Sequence, residues 1–373
     1  MKRVQKTQIL KDLNKKMVLL VGPRQSGKTW LAKDIAKDFT ESVYLNYDQL
    51  LDKKIILDQS WLPSTDILIF DELHKMAGWK NYLKGVYDTK PSSMRLLVTG
   101  SARLDLYDNL GDSLAGRYYR HRLLPFSPAE LTQLDQKFTL DELITKSGYP
   151  EPFLTDDIIE IKRWRMQYIS SLLTTDVFEI DQILNIKALQ LVFNLLRRKV
   201  GSPISYSSIA EDVAVSPATV KKYIQILEAL FVIFRVTPYS KNIARSLLKE
   251  PKIYFFDSGL IEGDEGAKFE NLVANSLLKS IFGRIDYLAE DLSLNYIRTK
   301  DGMEIDFAII NQNEIEQIIE VKLSNSDISK PLKYFHEKYS YPAIQILKNI
   351  RHEYINKDIK VLDMNKYLSK LFL

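Results

Sequence analysis

Gly22-Pro23-Arg24-Gln25-Ser26-Gly27-Lys28-Thr29 carries the strongest structural signal in this chain. It fits the pattern G-x-x-x-x-G-K-[ST], and its flanks fit as well. Before it, Met17-Val18-Leu19-Leu20-Val21 is an unbroken apolar run, as expected of a strand covered on both faces. After it, Trp30 to Ala36 has helical spacing, with Leu31 and Ile35 four apart. Glycines let such a loop curl until its backbone N–H groups point inward at a phosphate chain. The following helix start adds partial positive charge beneath it. In this reading the loop residues cradle the phosphates of ATP, Lys28 reaches the β- and γ-phosphates, and the Thr29 hydroxyl holds Mg²⁺.

Further along, Val43 to Asp48 reads as a second strand, and Pro63-Ser64 breaks the chain before Asp66-Ile67-Leu68-Ile69-Phe70-Asp71-Glu72. Apolar residues capped by two acids suit a buried parallel strand whose carboxyl end meets the ligand. Asp71 is expected to anchor Mg²⁺ through water, and Glu72 to polarise the attacking water. A further strand, Arg95 to Ser101, would end beside them. Ser101 then touches the γ-phosphate or the water, or else caps a turn, since Thr-Gly-Ser is common turn chemistry. Arg117 is either an arginine finger that neutralises transition-state charge or a surface arginine.

Taken together, these spacings resemble the P-loop class with additional central strands, the AAA+-like group. The ordered series Asp71-Glu72-Leu73-His74-Lys75, Val98-Thr99-Gly100-Ser101, Leu114-Ala115-Gly116-Arg117, Leu124 to Glu130 and Gly148-Tyr149-Pro150-Glu151-Pro152 narrows the resemblance. It is similar to a prokaryotic family of AAA+ ATPases that carry a C-terminal DUF4143 domain, over nearly the whole chain.

Totals bound the rest. At 373 residues the chain is long enough for two or three domains, and 45% hydrophobic with 27% charged residues is ordinary for a soluble protein. No cysteine is present, which excludes disulfides, thiolate zinc sites and a cysteine nucleophile. His74, His121, His336 and His352 are scattered, which argues against a histidine metal site. No apolar run spans a bilayer, and Met1 to Thr7 lacks an apolar signal core, so a cytoplasmic protein with no membrane partner is expected. The net charge is +4, yet Glu160 to Glu250 alone holds 13 Lys/Arg against 8 Asp/Glu. That local excess suits either a polyanion contact or a solvated helical surface.

Within this basic middle, Ile161 to about Leu196 has helical spacing and is expected to form a bundle. Ile204 to Val213 reads as a short helix, Ser216 as an N-cap and Pro217 as the first position of a second helix. Val220, Tyr223, Ile224 and Leu227 share one face, and Phe231 to Val236 follows as a strand. Helix, turn, capped helix and strand predict a winged helix-turn-helix. On DNA, Thr219 and Lys222 would face the groove and Lys221 a phosphate; the alternative is a spacer or a protein-docking surface.

Ala267 to Lys279 is a further helix with Phe269, Val273 and Leu277 every four residues, and Glu270 lies in its first turns. Leu294 to Arg298, Met303 to Ile310 and Ile315 to Lys322 read as strands, with Asp301-Gly302 a hairpin turn. Alternation puts Glu320 and Lys322 on one face, where Asp306 and Glu270 could join them. Carboxylates so grouped bind Mg²⁺ or Mn²⁺, and the lysine orients or helps deprotonate a water. This third resembles the PD-(D/E)XK nuclease superfamily, with Ile305 rather than proline before Asp306. The alternative is a half-polar sheet with a surface Glu320–Lys322 pair.

The expected fold is therefore α/β multidomain. Residues 1–130 form a P-loop AAA+-like ATPase core, 131–198 a helical linker, 199–245 a winged helix, and 246–373 an α+β restriction-endonuclease-like DUF4143 domain. The expected function is a DNA-associated ATPase with ATP and Mg²⁺ as cofactors and with metal-dependent cleavage as an added activity; self-association is left open. The alternative is a nucleotide-dependent switch that binds protein or DNA without cutting.

Overall fold

The computed structural model describes residues 2–100, 114–180, 185–240, 250–299, 301–324 and 327–373. Ser101 lies outside the described residues. The chain divides into two compact units, Met1–Pro125 with Ala229–Phe231, and Phe126–Glu228 with Val232–Leu373.

In the first unit, β1 (Met17–Val21), β2 (Ser42–Asn46), β3 (Ile67–Asp71), β4 (Arg95–Gly100) and β5 (Tyr118–Arg122) form a parallel sheet in the order β2-β3-β4-β1-β5. Every residue of β1 and β3 is buried, which is what their unbroken apolar runs require. Alternation splits β1 between two cores. Met17, Leu19 and Val21 pack with Leu45, Phe70 and Val98, whereas Val18 and Leu20 pack with Leu31, Ile35 and Leu97. Because β4 lies between β1 and β3, Val21 pairs with Gly100 and Asp71 with Thr99. The carboxyl ends of all three strands therefore meet along one edge.

The second unit starts with helices. Ile158–Ser171 runs into a π-helical segment, Leu172–Asp176, and Ile186–Arg197 follows. Helix Tyr206–Val213 ends at Ala214 in the left-handed region (φ +56°), and helix Pro217–Ala229 then buries Val220, Tyr223, Ile224 and Leu227. Strands β6 (Ile233–Pro238) and β7 (Lys252–Phe255) pair antiparallel, and Pro203 bridges to Lys252. Then come helix Glu265–Leu288, capped by Asp264, and strands β8 (Leu292–Arg298), β9 (Glu304–Asn311) and β10 (Glu314–Lys322). Strands β11 (Ala343–Leu347), β12 (Tyr354–Asn356) and β13 (Ile359–Asp363) complete a mixed eight-stranded sheet in the order β12-β13-β11-β10-β9-β8-β6-β7. Its core joins Ile305, Ala308, Ile318 and Ala343 to Leu332 and Phe335 of helix Lys330–Tyr339. Among the described residues no helix is long and apolar enough to cross a membrane.

Candidate functional site

The loop of the first unit closes on itself. Gly22 adopts φ +150°, and a Cβ there would lie 2.3 Å from the carbonyl oxygen of Leu123, so only glycine fits that approach. Gln25 and Gly27 are also left-handed, and Gly27 starts helix Lys28–Ala36. Pro23 and Arg24 complete the turn. From below, the buried Arg3 donates to Ser26 O at 2.7 Å and to Leu124 O at 2.5 Å, which fixes the loop to the end of the sheet.

Lys28 is buried, and its ammonium donates to Gly22 O at 2.9 Å and Pro23 O at 2.6 Å. Burial lowers its pKa to about 8 against the partial support of Glu72 and Asp71. Thr29 Oγ1 donates to Asp71 Oδ2 at 2.8 Å, and Tyr44 OH reaches the same oxygen. Thr99 Oγ1 holds the other oxygen, Asp71 Oδ1. Glu72 follows in a left-handed conformation (φ +57°), with Oε2 buried and without a hydrogen bond. Burial raises its pKa above the usual carboxylate range, with Lys28 opposing and Asp71 adding to the shift.

These residues fit a nucleoside triphosphate with Mg²⁺. Ser26 Oγ is buried without a hydrogen-bond partner, and the Lys28 charge rests on neutral carbonyls, so both donors have capacity for a phosphate. Thr29 and Asp71 are the hydroxyl and carboxylate that would hold the ion. Arg117 stands elsewhere in the unit, where its guanidinium grips Asp88 at 2.8 and 3.1 Å. No sequence pattern marks Arg3, Tyr44 or Thr99 as site residues. The register that opposes Thr99 to Asp71 is the signal that selects it.

In the second unit, the β9–β10 register pairs Ile319 with Phe307. Continued by one step, it sets Glu320 opposite Asp306, on one face of the sheet. Asp306 Oδ2 accepts from the Val321 backbone at 2.9 Å, and Lys322 Nζ lies 2.8 Å from Glu320 Oε1. Glu270 approaches from helix Glu265–Leu288, with Tyr254 OH donating to Oε1 at 2.6 Å. A Cβ on Gly201 would meet both its oxygens at 2.9 Å, so that loop packs directly on the carboxylate. Glu270 and Glu320 are each raised to about 7, by burial first and by the charge of Asp306 second. A cavity of about 340 Å³ opens beside them, lined by Gly266, Glu270, Val321, Lys322, Leu323 and Ser324.

No sequence pattern marks the centre of this cluster. Lys252 of β7 is 1% exposed, and its Nζ lies 2.7 Å from Glu304 Oε1, 3.5 Å from Glu270 Oε1 and 3.8 Å from Asp306 Oδ1. Although burial opposes it, the charges of Glu270, Asp306 and Glu304 raise its pKa above the ordinary lysine value. Among the described residues no group of three or more histidine, aspartate or glutamate side chains is set to hold a metal ion.

On helix Pro217–Ala229, Ser216 caps the first turn: its Oγ accepts from Thr219 N at 3.1 Å and lies 2.8 Å from Thr219 Oγ1. Thr219 is thus half-buried in its own cap, while Lys221 and Lys222 are exposed.

The fold and loop define a P-loop α/β core of the ATPase kind. The family profile for an AAA domain matches residues 14–132, and that for the domain of unknown function DUF4143 matches residues 265–367. The domain of unknown function DUF8612 matches residues 137–263 between them. The chain thus carries an AAA domain and a DUF4143 domain, and the AAA domain supports a nucleotide-dependent activity. It is 26% identical over 247 residues to an uncharacterized protein of Mycobacterium tuberculosis, which covers 66% of this chain and 55% of that protein. The chain therefore spans little more than half the length of that relative. An uncharacterized protein of Methanocaldococcus jannaschii is 25% identical over 368 residues, 88% of this chain and 80% of its own. Among solved structures, a Walker-type ATPase of Pyrococcus abyssi matches 69% of this chain and 94% of its own at 14% identity and a TM-score of 0.45.

Proposed function

We propose that this protein is an ATPase whose nucleotide state governs how its second unit engages DNA. The observation that carries the reading is the buried Lys28, held by two backbone carbonyls beside the Thr29–Asp71 pair. In the proposed reaction the loop N–H groups and Lys28 bind the β- and γ-phosphates. Glu72, with a buried oxygen that makes no hydrogen bond and a raised proton affinity, takes the proton of the attacking water. Mg²⁺ held by Thr29 and Asp71 would offset the charge of the phosphate oxygens. Arg117 is bound to Asp88 at the amino end of β5, the opposite end from the loop, so it is a candidate finger only for the nucleotide of another copy.

DNA is proposed as partner on the element order of the second unit. Two helices joined by a left-handed Ala214, an N-capped second helix, the antiparallel β6–β7 hairpin and the Pro203–Lys252 bridge support a winged helix. Exposed Lys221 and Lys222 supply phosphate contacts, and Thr219 holds the helix start. The alternative, a switch that contacts a protein through the same surface, is separated by one measurement. ATP turnover is followed with and without duplex DNA: stimulation supports the DNA reading, and ATP binding without any polynucleotide response supports the protein-facing switch.

A further inference from the structure

We infer that Lys252 is a built-in cation that fills the position of a divalent metal in the carboxylate cluster, so this site works without metal and does not cut nucleic acid. The inference deepens the proposed function and rests on it, since it makes the second unit a binding rather than a cleaving module.

The argument is one of space and charge. A metal serving Glu270 and Asp306 has to lie within about 2–2.6 Å of an oxygen from each. The Lys252 ammonium already lies near both, at 3.5 and 3.8 Å, and closer still to Glu304 at 2.7 Å. An ammonium and a divalent cation cannot share that volume, and a side chain 1% exposed has no route to water without moving its strand. That strand is pinned: Lys252 pairs with Val236 and bridges to Pro203, and its Nζ lies 5.4 Å from the Tyr296 ring centre. The remaining carboxylates are engaged as well. Asp306 Oδ2 is committed to the Val321 backbone and Glu320 Oε1 to Lys322, and Glu320 Oε2 is buried without a hydrogen bond. Among the described residues no three such side chains are grouped to hold an ion. Lysine and carboxylates together form a neutralising node that ties the β6–β7 hairpin to β9 and to the Glu265–Leu288 helix.

Mn²⁺ alone, followed by electron paramagnetic resonance on the full nucleotide-free chain, tests this. The signal that counts is the part lost on Asp306→Asn, so ions near Thr29 and Asp71 drop out of the comparison. The wild type is expected to show no such Mn²⁺, and Lys252→Met to gain one ion per chain, bound at least tenfold tighter and removed again by Asp306→Asn. Lys252→Gln serves as the second variant should the methionine protein fail to fold. Mn²⁺ held by the wild type and lost on Asp306→Asn overturns the inference, as does a folded Lys252 variant that gains no ion. Neither ATP nor DNA enters the measurement, so its failure is distinct from failure of the proposed function.

Discussion

Of the buried lysines, Lys28 and Lys252 lie in opposite electrical surroundings. Lys28 rests on the neutral carbonyls of Gly22 and Pro23, and burial lowers its pKa to about 8. Lys252 sits among Glu270, Glu304 and Asp306, which hold it charged despite its burial. A cation whose hydrogen bonds go only to neutral carbonyls, with Glu72 and Asp71 giving only partial support, is costly to bury. Such a charge is placed to meet an anion from outside. A cation among internal carboxylates already has its partners and is placed for structure. The contrast separates a ligand site from a node of the fold, though both look like clusters of charged residues.

Losing the external anion is expected to have the largest effect. Lys28→Ala should reduce ATP turnover by about 10²–10³-fold, the scale for loss of a group that stabilises developing charge. Glu72→Gln should bind a fluorescent ATP analogue normally and fail to release phosphate. Hydrolysis at the wild-type rate in Glu72→Gln would remove Glu72 from the role of base.

Stability should distinguish the two lysines next. Lys252→Met strands three carboxylates, and breaking a buried ion cluster from one side costs about 3–5 kcal/mol. Lys28→Met removes a cation whose hydrogen bonds all go to neutral carbonyls and should leave the first unit as stable as before. Urea unfolding of both variants checks this, and equal losses would erase the contrast.

A smaller effect is expected on DNA. Lys221→Glu with Lys222→Glu should lower the slope of log affinity against log salt by about 0.9 for each phosphate no longer neutralised. An unchanged slope removes this helix from the interface.

The subtlest difference is in pH. Glu270 and Glu320 have folded pKa values of about 7, above the ordinary 4.5. Their contribution to stability is therefore complete below pH 4.5 and is lost as pH rises through about 7. Asp306→Asn removes the second cause of both shifts. The variant's thermal midpoint should then fall less than that of the wild type between about pH 4.5 and 7; parallel profiles would contradict the coupling.

What the sequence made legible was whatever lies close along the chain. Strand, loop and helix around Lys28 are contiguous, and the apolar run ending at Asp71 is a single strand. Glu320 and Lys322 share a face by alternation alone. Lys252 was invisible because its strand spans only Lys252–Phe255 and its carboxylates come from a helix and another strand well beyond it. Thr99 carries no mark in the sequence, since only strand register shows which residue faces Asp71. Arg3, far from the loop by pattern, reaches Ser26 through the packing of the unit.

The junction between the hairpin and the sheet has a mechanical consequence. β6 pairs with β8 at Thr237–Asn295 and Pro238–Tyr296, a short seam continued by Tyr239 N on Tyr296 O and reinforced by the Asn295 amide on Thr237. On the neighbouring strand Lys252 supplies a separate point of attachment by gripping Glu304, beside the bonds of Tyr254 to Glu270 and of Phe255 to Asn271. A plate fastened at two separated points cannot turn about either. Torque applied to the hairpin is handed to the eight-stranded sheet as a whole, and the hairpin and the carboxylate face move as one lever.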